Sequence, residues 1–384
     1  MQRMKVRIIA DDLTSAADAA LPFYEKGKHC EVVLNHHQNP SAQVVSIDTN
    51  SRSLTEELAY EITKQAADNA QENELIIKTI DSTLRGHIKA EIRAAFDASR
   101  KQHLVIAPAF PDAGRITKAG IQYVNGTPVS ESSYGKDPVH PALTSSIVEL
   151  VPADIGNTEV LAGDASSEAV NEALTSNKVL ILDADSQSAL DLLVSRFPNP
   201  EKILWVGSPG LAQALAVRLE SQPSEGLFPF KASRLLVVIG SANEVSHQQK
   251  AQLECTSIGL EEQNSHAHEL AMLAAPSTKN ADPKSVLHKL SSEAARLITH
   301  ARYDGLIATG GETSRAILDR IGVTTMTLCH QLEKGFPVCH AVLPHSKAPF
   351  FIGIKAGGFG KPDSLKNAIR QFGFNDTGER HVSE

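Results

Sequence analysis

Apolar positions along the chain fall into two patterns. Short continuous apolar runs alternate with longer stretches in which apolar side chains return at helical spacing. The runs Lys5–Ala10, Glu31–Leu34, Val44–Thr49, Leu75–Ile80 and His103–Ala107 predict strands. Between them Ser15–Glu25, Thr55–Ala70 and Ile88–Ala98 predict helices, the first with Ala16, Ala20, Phe23 and Tyr24 on its apolar side. Further on come a strand at Val179–Asp183, a helix from Ser186, a strand at Ile203–Val206 and a helix from Leu211. Strands apolar on both faces belong to a parallel sheet covered by helices on each side. Ser221–Ser233 holds two prolines, a glycine and three serines, and predicts a linker. The pattern then restarts, with strands at Leu235–Ile239, Leu306–Ala308 and Phe350–Ile354 and helices at Val245–Leu253, Pro283–His300 and Ser314–Ile321. The tail from Asp376 is polar and predicts a frayed end. The expected fold is α/β: two α/β domains with mainly parallel sheets flanked by helices.

Composition narrows the classes of function. A chain of 384 residues has room for two domains with real cores. A formal net charge of −8 argues against a nucleic-acid partner. It leaves room for a small anionic ligand, because a few local Arg and Lys can dominate a closed site. No apolar run approaches the roughly 20 residues that span a bilayer, and the first residues lead into a strand without a signal-peptide core. A membrane partner is therefore not expected, and the expected location is cytoplasmic. Cys30, Cys255, Cys329 and Cys339 form no CxxC pair and read as reduced, packed thiols. The histidines are dispersed: His36–His37 reads as surface, and His330, His340 and His345 flank a predicted loop without metal-ligand spacing.

Chemistry concentrates at strand ends, where open α/β sheets bind ligands. Asp11-Asp12-Leu13-Thr14 follows the first strand. Two carboxylates and a hydroxyl there suit proton acceptance or the binding of substrate hydroxyls; Asp12 or Thr14 equally suits a helix N-cap. Asp48-Thr49-Asn50-Ser51-Arg52 ends another strand. Lys78-Thr79-Ile80-Asp81-Ser82-Thr83-Leu84-Arg85-Gly86 gathers hydroxyls, a guanidinium and a glycine, which suits an anion site or a solvated turn capped by Asp81. Ala107–Arg115 leads through a Pro/Gly turn, and Arg115 reads as structural. Three glycine loops follow apolar strands in the second half: Gly240–Asn243, Thr309–Thr313 and Lys355–Gly360. Glycines admit phosphates close to backbone N–H groups, and Lys355 adds a point charge, so a nucleotide site is indicated against the alternative of tight helix-start turns. No Walker loop and no protein-kinase signature is present.

In order along the chain, ADDLT (10–14), NSR (50–52), KTIDSTLRG (78–86), APAFPDAGR (107–115), VNG (124–126), GSPGLA (207–212), IGSANEVSHQQ (239–249), TGGETS (309–314), GFP (335–337) and KAGGFG (355–360) resemble the four-carbon acid sugar kinase family. Ser15 departs from it, standing where the family usually carries Gly. The resemblance implies an acid-sugar-binding domain over 1–225 and a nucleotide-binding domain over 234–384, with the site in the cleft between them. It implies ATP-dependent phosphorylation, with Mg²⁺, of a tetronate-like acid at its terminal hydroxyl. The compact loop after Lys78 resembles the D-threonate branch more than the 3-oxo-tetronate branch, with D-erythronate the other family substrate. On this reading Arg52 and Arg85 meet the acid's carboxylate, and Lys78, Asp81, Ser82, Thr83 and Gly86 complete its pocket with Asp11. Asp12 orients the attacking hydroxyl and takes its proton, Asp11 being the second choice; the alternative is substrate-assisted loss of the proton with Asp12 only a hydrogen-bond acceptor. Ser241, Gly310, Gly311, Glu312, Thr313, Lys355, Gly357, Gly358 and Phe359 hold ATP, and the ligands of the metal are not specified. A homodimer is left open. An NAD-dependent hydroxy-acid dehydrogenase is the competing enzyme class, but no GxGxxG follows the first strand. A non-catalytic sugar-acid binder would more often work outside the cytosol, and no signal segment is seen.

Overall fold

The continuous apolar runs become strands buried on both faces, as a parallel sheet between helices requires. The computed structural model describes residues 4–34, 41–137, 140–221, 230–241, 243–259, 268–275, 282–344 and 346–375. The middle of the expected linker, Ala242, His36–His37, His345 and the polar tail lie outside them. The chain divides into two units, Met1–Ser224 and Glu225–Glu384.

The first unit opens with β1 (Val6–Ala10), α1 (Leu13–Glu25), β2 (Cys30–Val33), β3 (Val44–Asp48), α2 (Glu56–Asp68), β4 (Leu75–Thr79), α3 (Ile88–Ser99) and β5 (His103–Ala107). A small antiparallel sheet of β6 (Arg115–Lys118), β7 (Ile121–Val124) and β8 (Thr127–Pro128) follows. Asn125 and Gly126 link β7 to β8 with φ of 47° and 83°. Positive φ at both positions of a two-residue hairpin loop is what makes Asn-Gly the favoured pair there. The unit closes with α4 (Ile147–Leu150), β9 (Thr158–Leu161), α5 (Ser167–Ser176), β10 (Val179–Leu182), α6 (Gln187–Ser195), β11 (Ile203–Gly207) and α7 (Pro209–Val217). Its main sheet runs β2-β3-β1-β4-β11-β5-β10-β9, every neighbouring pair parallel. The order reverses between β1 and β4, the switch point at which open sheets leave a crevice. Ile9, Ile47, Ile76, Ile106 and Val206 from successive strands meet in one core.

Helix α1 shows how closely its layer packs. Ala16, Ala17, Ala19 and Ala20 are buried, and their small side chains let the Oγ of Ser46 in β3 donate to the Ala16 carbonyl at 2.6 Å. Tyr24, expected on the apolar side, is only half-buried. Helix α7 begins two residues earlier than its apolar pattern suggests, because Ser208 caps it and Pro209 fits its first position.

The second unit comprises β12 (Leu235–Ile239), α8 (Glu244–Lys250), β13 (Thr256–Ser257), β14 (Leu270–Ala274), α9 (Pro283–His300), β15 (Gly305–Thr309), α10 (Gly311–Arg320), β16 (Thr325–Glu333), β17 (Phe336–Val342), β18 (Pro349–Lys355) and α11 (Ser364–Gln371). Strands β13-β14-β12-β15-β18 are parallel, and β17 and β16 continue the sheet antiparallel. Val237, Ile307, Phe336, Phe351 and Phe372 form its core. Among the described residues no helix is long and apolar enough to cross a membrane.

Candidate functional site

In the first unit the carboxyl ends of β3, β1 and β4 lie side by side and carry most of the residues singled out by sequence. Asp12 caps α1: its Oδ1 accepts from the Ser15 N–H at 2.7 Å and the Thr14 hydroxyl at 2.9 Å. The same carboxylate turns Oδ2 to Arg52 Nη1 at 2.5 Å, so capping and ion pairing coexist. Ser15 lies inside the helix with its N–H capped, a conformation that has no need of glycine. Arg52 stands on a short turn after β3 and also donates through Nε to Asp11 Oδ2 at 2.6 Å. A guanidinium has five N–H donors, and these two contacts leave most of them unspent. Gly86, at φ 99°, passes close to Asp11: a Cβ there would lie 3.5 Å from its Oδ2.

The two adjacent carboxyls are driven apart. Burial pushes Asp11 up, and the charges of Asp12 and Glu91 add to this against Arg52 and Lys78. Burial pushes Asp12 the same way, but Arg52 and the bonds from Ser15 and Thr14 outweigh it and hold Asp12 below the ordinary carboxylate range. Asp12 is therefore the firmly ionised member. Asp11 keeps one buried oxygen, Oδ1, without a hydrogen-bond partner among the described residues.

The loop after β4 is organised around Asp81. It accepts from the Thr83 hydroxyl at 2.7 Å, the Thr83 N–H at 3.3 Å and Arg85 Nε. Burial opposes ionisation of Asp81, but Arg52 and Arg85 prevail and lower its pKa. Arg85 reaches on to Asp137 Oδ2 at 3.2 Å and lies over the Tyr134 ring at 5.2 Å. Arg115 sits 5.9 Å from the same ring and donates to the Tyr134 hydroxyl at 3.0 Å. The Ser82 carbonyl is fastened by Gln122 of β7, which also binds the Pro108 carbonyl. The small antiparallel sheet thus holds the loop in place.

Lys78 is a correction. It was expected among the ligand contacts, but its side chain is fully buried, with Nζ 2.8 Å from Glu91 Oε2 and 2.7 Å from the Thr79 carbonyl. Glu91 also accepts from Ser51 Oγ at 2.5 Å; Ser51 lies 2.9 Å from Thr49 Oγ1, which donates to the Ala10 carbonyl at 2.7 Å. Lys78 therefore braces the strand ends from behind. Glu91, Gln122, Tyr134 and Asp137 were not found from sequence, and Ser51 entered only as part of the Asn50-Ser51-Arg52 motif. Glu91 left one signal, a charge on the apolar stripe Ile88, Ile92, Ala95 of α3.

In the second unit the three glycine loops meet at the ends of β12, β15 and β18, which are sheet neighbours. The Gly310 N–H donates to the Lys355 carbonyl at 2.8 Å, with Gly310 at φ 93° before α10. The N–H groups of the first turn, around Gly311, Glu312 and Thr313, have no intrahelical acceptors. Glu312 is exposed and Thr313 buried. A Cβ on Gly240 would lie 2.0 Å from Thr313 Oγ1, and one on Gly357 would lie 2.0 Å from Ser241 Oγ. Gly357 is thus required first by its protein neighbour Ser241, a closer constraint than the approach of a ligand. Ser246 and Gln249 of α8 bind the Gly357, Phe359 and Lys361 carbonyls and hold this loop down. Gly358 is exposed beside Asn243, and Phe359 is half-buried. Lys355 Nζ donates to the Ala356 carbonyl at 3.0 Å. Burial lowers its pKa to about 8 against the opposing pull of Glu333. Backbone donors, close-packed glycines and a buried ammonium suit a polyphosphate. Among the described residues no group of three or more His, Cys, Asp or Glu side chains is placed to hold a metal.

A sugar-binding N-terminal domain model matches residues 6–215, and a nucleotide-binding C-terminal domain model matches residues 260–365. The chain is 30% identical to the D-threonate kinase of Salmonella typhimurium, over 95% of this chain and 98% of that protein. It is 31% identical to the D-erythronate kinase of Heliobacterium modesticaldum, over 65% of this chain and 60% of that one. To the 3-oxo-tetronate kinase of Haemophilus influenzae it is 24% identical, over 95% and 99%. Among solved structures, a Salmonella typhimurium LT2 protein provisionally described as a tRNA synthase superposes with a TM-score of 0.80 at 22% identity, covering 96% of this chain and 99% of that one. At that identity the likeness speaks for the fold alone. A Bordetella bronchiseptica protein of unknown function, described as a domain-swapped dimer with bound citrate, covers 98% of this chain and 99% of its own with a TM-score of 0.51 and 28% identity.

Proposed function

The chain belongs to the four-carbon acid sugar kinase family and is a phosphotransferase, and from that premise we propose that it moves the terminal phosphoryl group of ATP to the terminal hydroxyl of D-threonate, giving 4-phospho-D-threonate. The observation that carries this reading is Arg52 between Asp11 and Asp12 at the switch point of the first sheet. It sets an ionised hydroxyl acceptor beside a guanidinium with donors to spare, the two functions that a hydroxy-acid needs. D-threonate is favoured because relatives named for it match nearly the whole chain at 28–30% identity, against 24% for the named 3-oxo-tetronate kinase of Haemophilus influenzae.

Arg52 and Arg85 bind the acid's carboxylate, and Asp81, Ser82, Thr83 and the Gly86 backbone bind its hydroxyls. Asp12 accepts a hydrogen bond from the terminal hydroxyl and points its oxygen at the phosphorus. The hydroxyl oxygen forms the new P–O bond as the bond to ADP breaks, and the proton passes to Asp12. Phosphoryl transfer through a loose transition state asks more for positioning than for a strong base, so a carboxylate held at low pKa suffices. Ser241, Gly310, Gly311, Glu312, Thr313, Lys355, Gly357, Gly358 and Phe359 form the ATP site, with Lys355 on the terminal phosphates. Mg²⁺ would supply charge neutralisation to the phosphates and would enter with ATP, since no group of carboxylates among the described residues is placed to hold it. A cytoplasmic homodimer is the assembly proposed, in line with the dimeric Bordetella protein.

The test is ADP release from ATP with D-threonate, L-threonate, D- and L-erythronate and their 3-oxo acids offered singly. D-threonate should give the highest kcat/KM. A higher value with an oxo acid or an erythronate would move the substrate within the family, and no ADP release with any of them would overturn the reading.

A further inference from the structure

Arg52 and the loop carrying Arg85 come from different parts of the chain, and bonds to one helix join them. Arg52 lies in the turn Ser51–Ser53 after β3, which Asn50 enters at φ 50°. The loop Asp81–Gly86 follows β4 and runs directly into α3, with His87 as the N-cap residue of that helix. The Oγ of Ser51 donates to Glu91 Oε1 at 2.5 Å, and His87 Nε2 donates to the Leu54 carbonyl at 2.7 Å. Ser51 opens the turn and Leu54 closes it, so both ends of the turn are fastened to α3. His87 and Glu91 stand about one helical turn apart and lie on the same side of α3.

Ser51 and Glu91 are both buried, and the second Glu91 oxygen is held by Lys78 Nζ at 2.8 Å. Bonds to an ionised group of this kind are roughly twice as strong as neutral ones, so the fastening is firm. Gly86 closes the arrangement: a Cβ there would lie 3.9 Å from Arg52 Cγ as well as 3.5 Å from Asp11 Oδ2. The Arg52 side chain fixes the turn to Asp11 and Asp12 at the start of α1. The bonds of Ser51 and Leu54 fix the same turn to the helix that leaves the Arg85 loop. Arg85 is tied into that loop through Asp81. The separation between Asp12 and Arg85 is therefore set through α3.

With Asp12 on the terminal hydroxyl of the acid and Arg85 on its carboxylate, that separation measures the length of the substrate. We propose that Ser51, His87 and Glu91 are positioning residues that restrict the site to four-carbon acids, an inference that rests on the function proposed above. Ser51→Ala and His87→Ala each cut one bond to the turn and leave Lys78 paired with Glu91. His87→Gln keeps an N–H donor near the place of Nε2. Steady-state ADP release is measured for the wild type and each variant with the best four-carbon acid of the panel above and with the five-carbon acids D-xylonate and D-lyxonate. All acids are run on the same preparation, so the folded fraction cancels in the ratio of their kcat/KM values. One carbon more or less in a fitted pocket is worth roughly 10–200-fold in kcat/KM. Loss of either bond should raise the five- to four-carbon ratio about tenfold, part of that range. His87→Gln should stay near the wild-type ratio. A wild-type ratio in both alanine variants would overturn the inference. So would turnover of neither five-carbon acid by any variant, or a ratio in His87→Gln equal to that of His87→Ala. A wild type that releases no ADP with any four-carbon acid would overturn the function beneath it, and the inference with it.

Discussion

Replacing Lys355 by Met tests the nucleotide assignment through pH. The Lys355 ammonium is buried at the end of β18, and burial lowers its pKa from 10.5 to about 8. Phosphates favour its charged form, so nucleotide binding should raise that pKa. Below pH 8 the free protein already carries the proton, and ATP affinity should be flat. Above it the proton must be taken up on binding, so affinity should fall about tenfold per pH unit until the raised pKa of the complex is reached. At about pH 9 the wild type should bind roughly tenfold more weakly than at pH 7. Lys355→Met keeps the volume and removes the charge; its profile should be flat, and its affinity at pH 7 about ten- to a hundredfold lower. Stability moves the other way. A lysine whose folded pKa is depressed costs the fold most below that value, and the cost fades as pH rises from about 8 towards 10.5. The gap is worth at most about 3 kcal/mol. Lys355→Met should therefore melt higher than wild type at pH 7, and the advantage should shrink by pH 10. Calorimetric titration with ATP, without an acid sugar, avoids turnover. A wild-type affinity that stays flat through pH 9.5, or a variant that keeps the wild-type slope, would refute the reasoning.

Three further substitutions separate the roles assigned above. Arg85→Ala should weaken acid-sugar binding about ten- to a hundredfold and leave ATP affinity unchanged when each ligand is titrated alone; loss of ATP binding instead would reverse the assignment of the two units. Asp12→Asn keeps a good helix cap but loses the charge facing Arg52, so turnover should drop about a hundredfold or more at unchanged ATP affinity. Steady-state ADP release that stays near wild type would reduce Asp12 to capping. Glu91→Ala leaves the Lys78 ammonium buried and unpaired, and should destabilise the first unit by about 3–5 kcal/mol in urea unfolding. Lys78→Met with Glu91→Leu should recover most of that loss, and equal instability of the single and double variants would show that the ion pair is not the cause.

The parallel cores were legible because their strands are buried on both faces and so read as unbroken apolar runs. His103–Ala107 and Leu235–Ile239 match the observed strands end to end, as does the helix Pro283–His300. What escaped was structure held by contacts distant in sequence. Strands β6–β8 are short and half-exposed, and their role rests on Gln122 meeting Ser82 and Pro108, which no local pattern announces. Strand β16, paired with β17, carries irregularities that break its alternation between Leu328 and Glu333. At the first site, residue type and strand-end position singled out Asp12, Arg52 and Arg85, and the structure pairs Asp12 with Arg52 and Arg85 with Asp81. They did not reveal that Lys78 points into the protein, because a strand buried on both faces does not disclose which of its residues meets a partner. Tyr134 and Asp137 lie far along the chain from Arg85, and nothing near either marks the contact.

The Lys78–Glu91 pair also bears on how the first sheet finds its alignment. Every residue of β4, Leu-Ile-Ile-Lys-Thr, is buried, so hydrophobicity alone scarcely separates one pairing of this strand with β1 and β11 from another. A slip by one position would turn Lys78 to the opposite face, away from α3, and strand an ammonium among apolar side chains. Glu91 would be stranded with it. Misaligned compact states of the chain are thereby raised by several kcal/mol over the one in which the two charges meet. A single ion pair, itself of small net worth to stability, acts during folding as a register key for the strand that carries the Asp81–Gly86 loop.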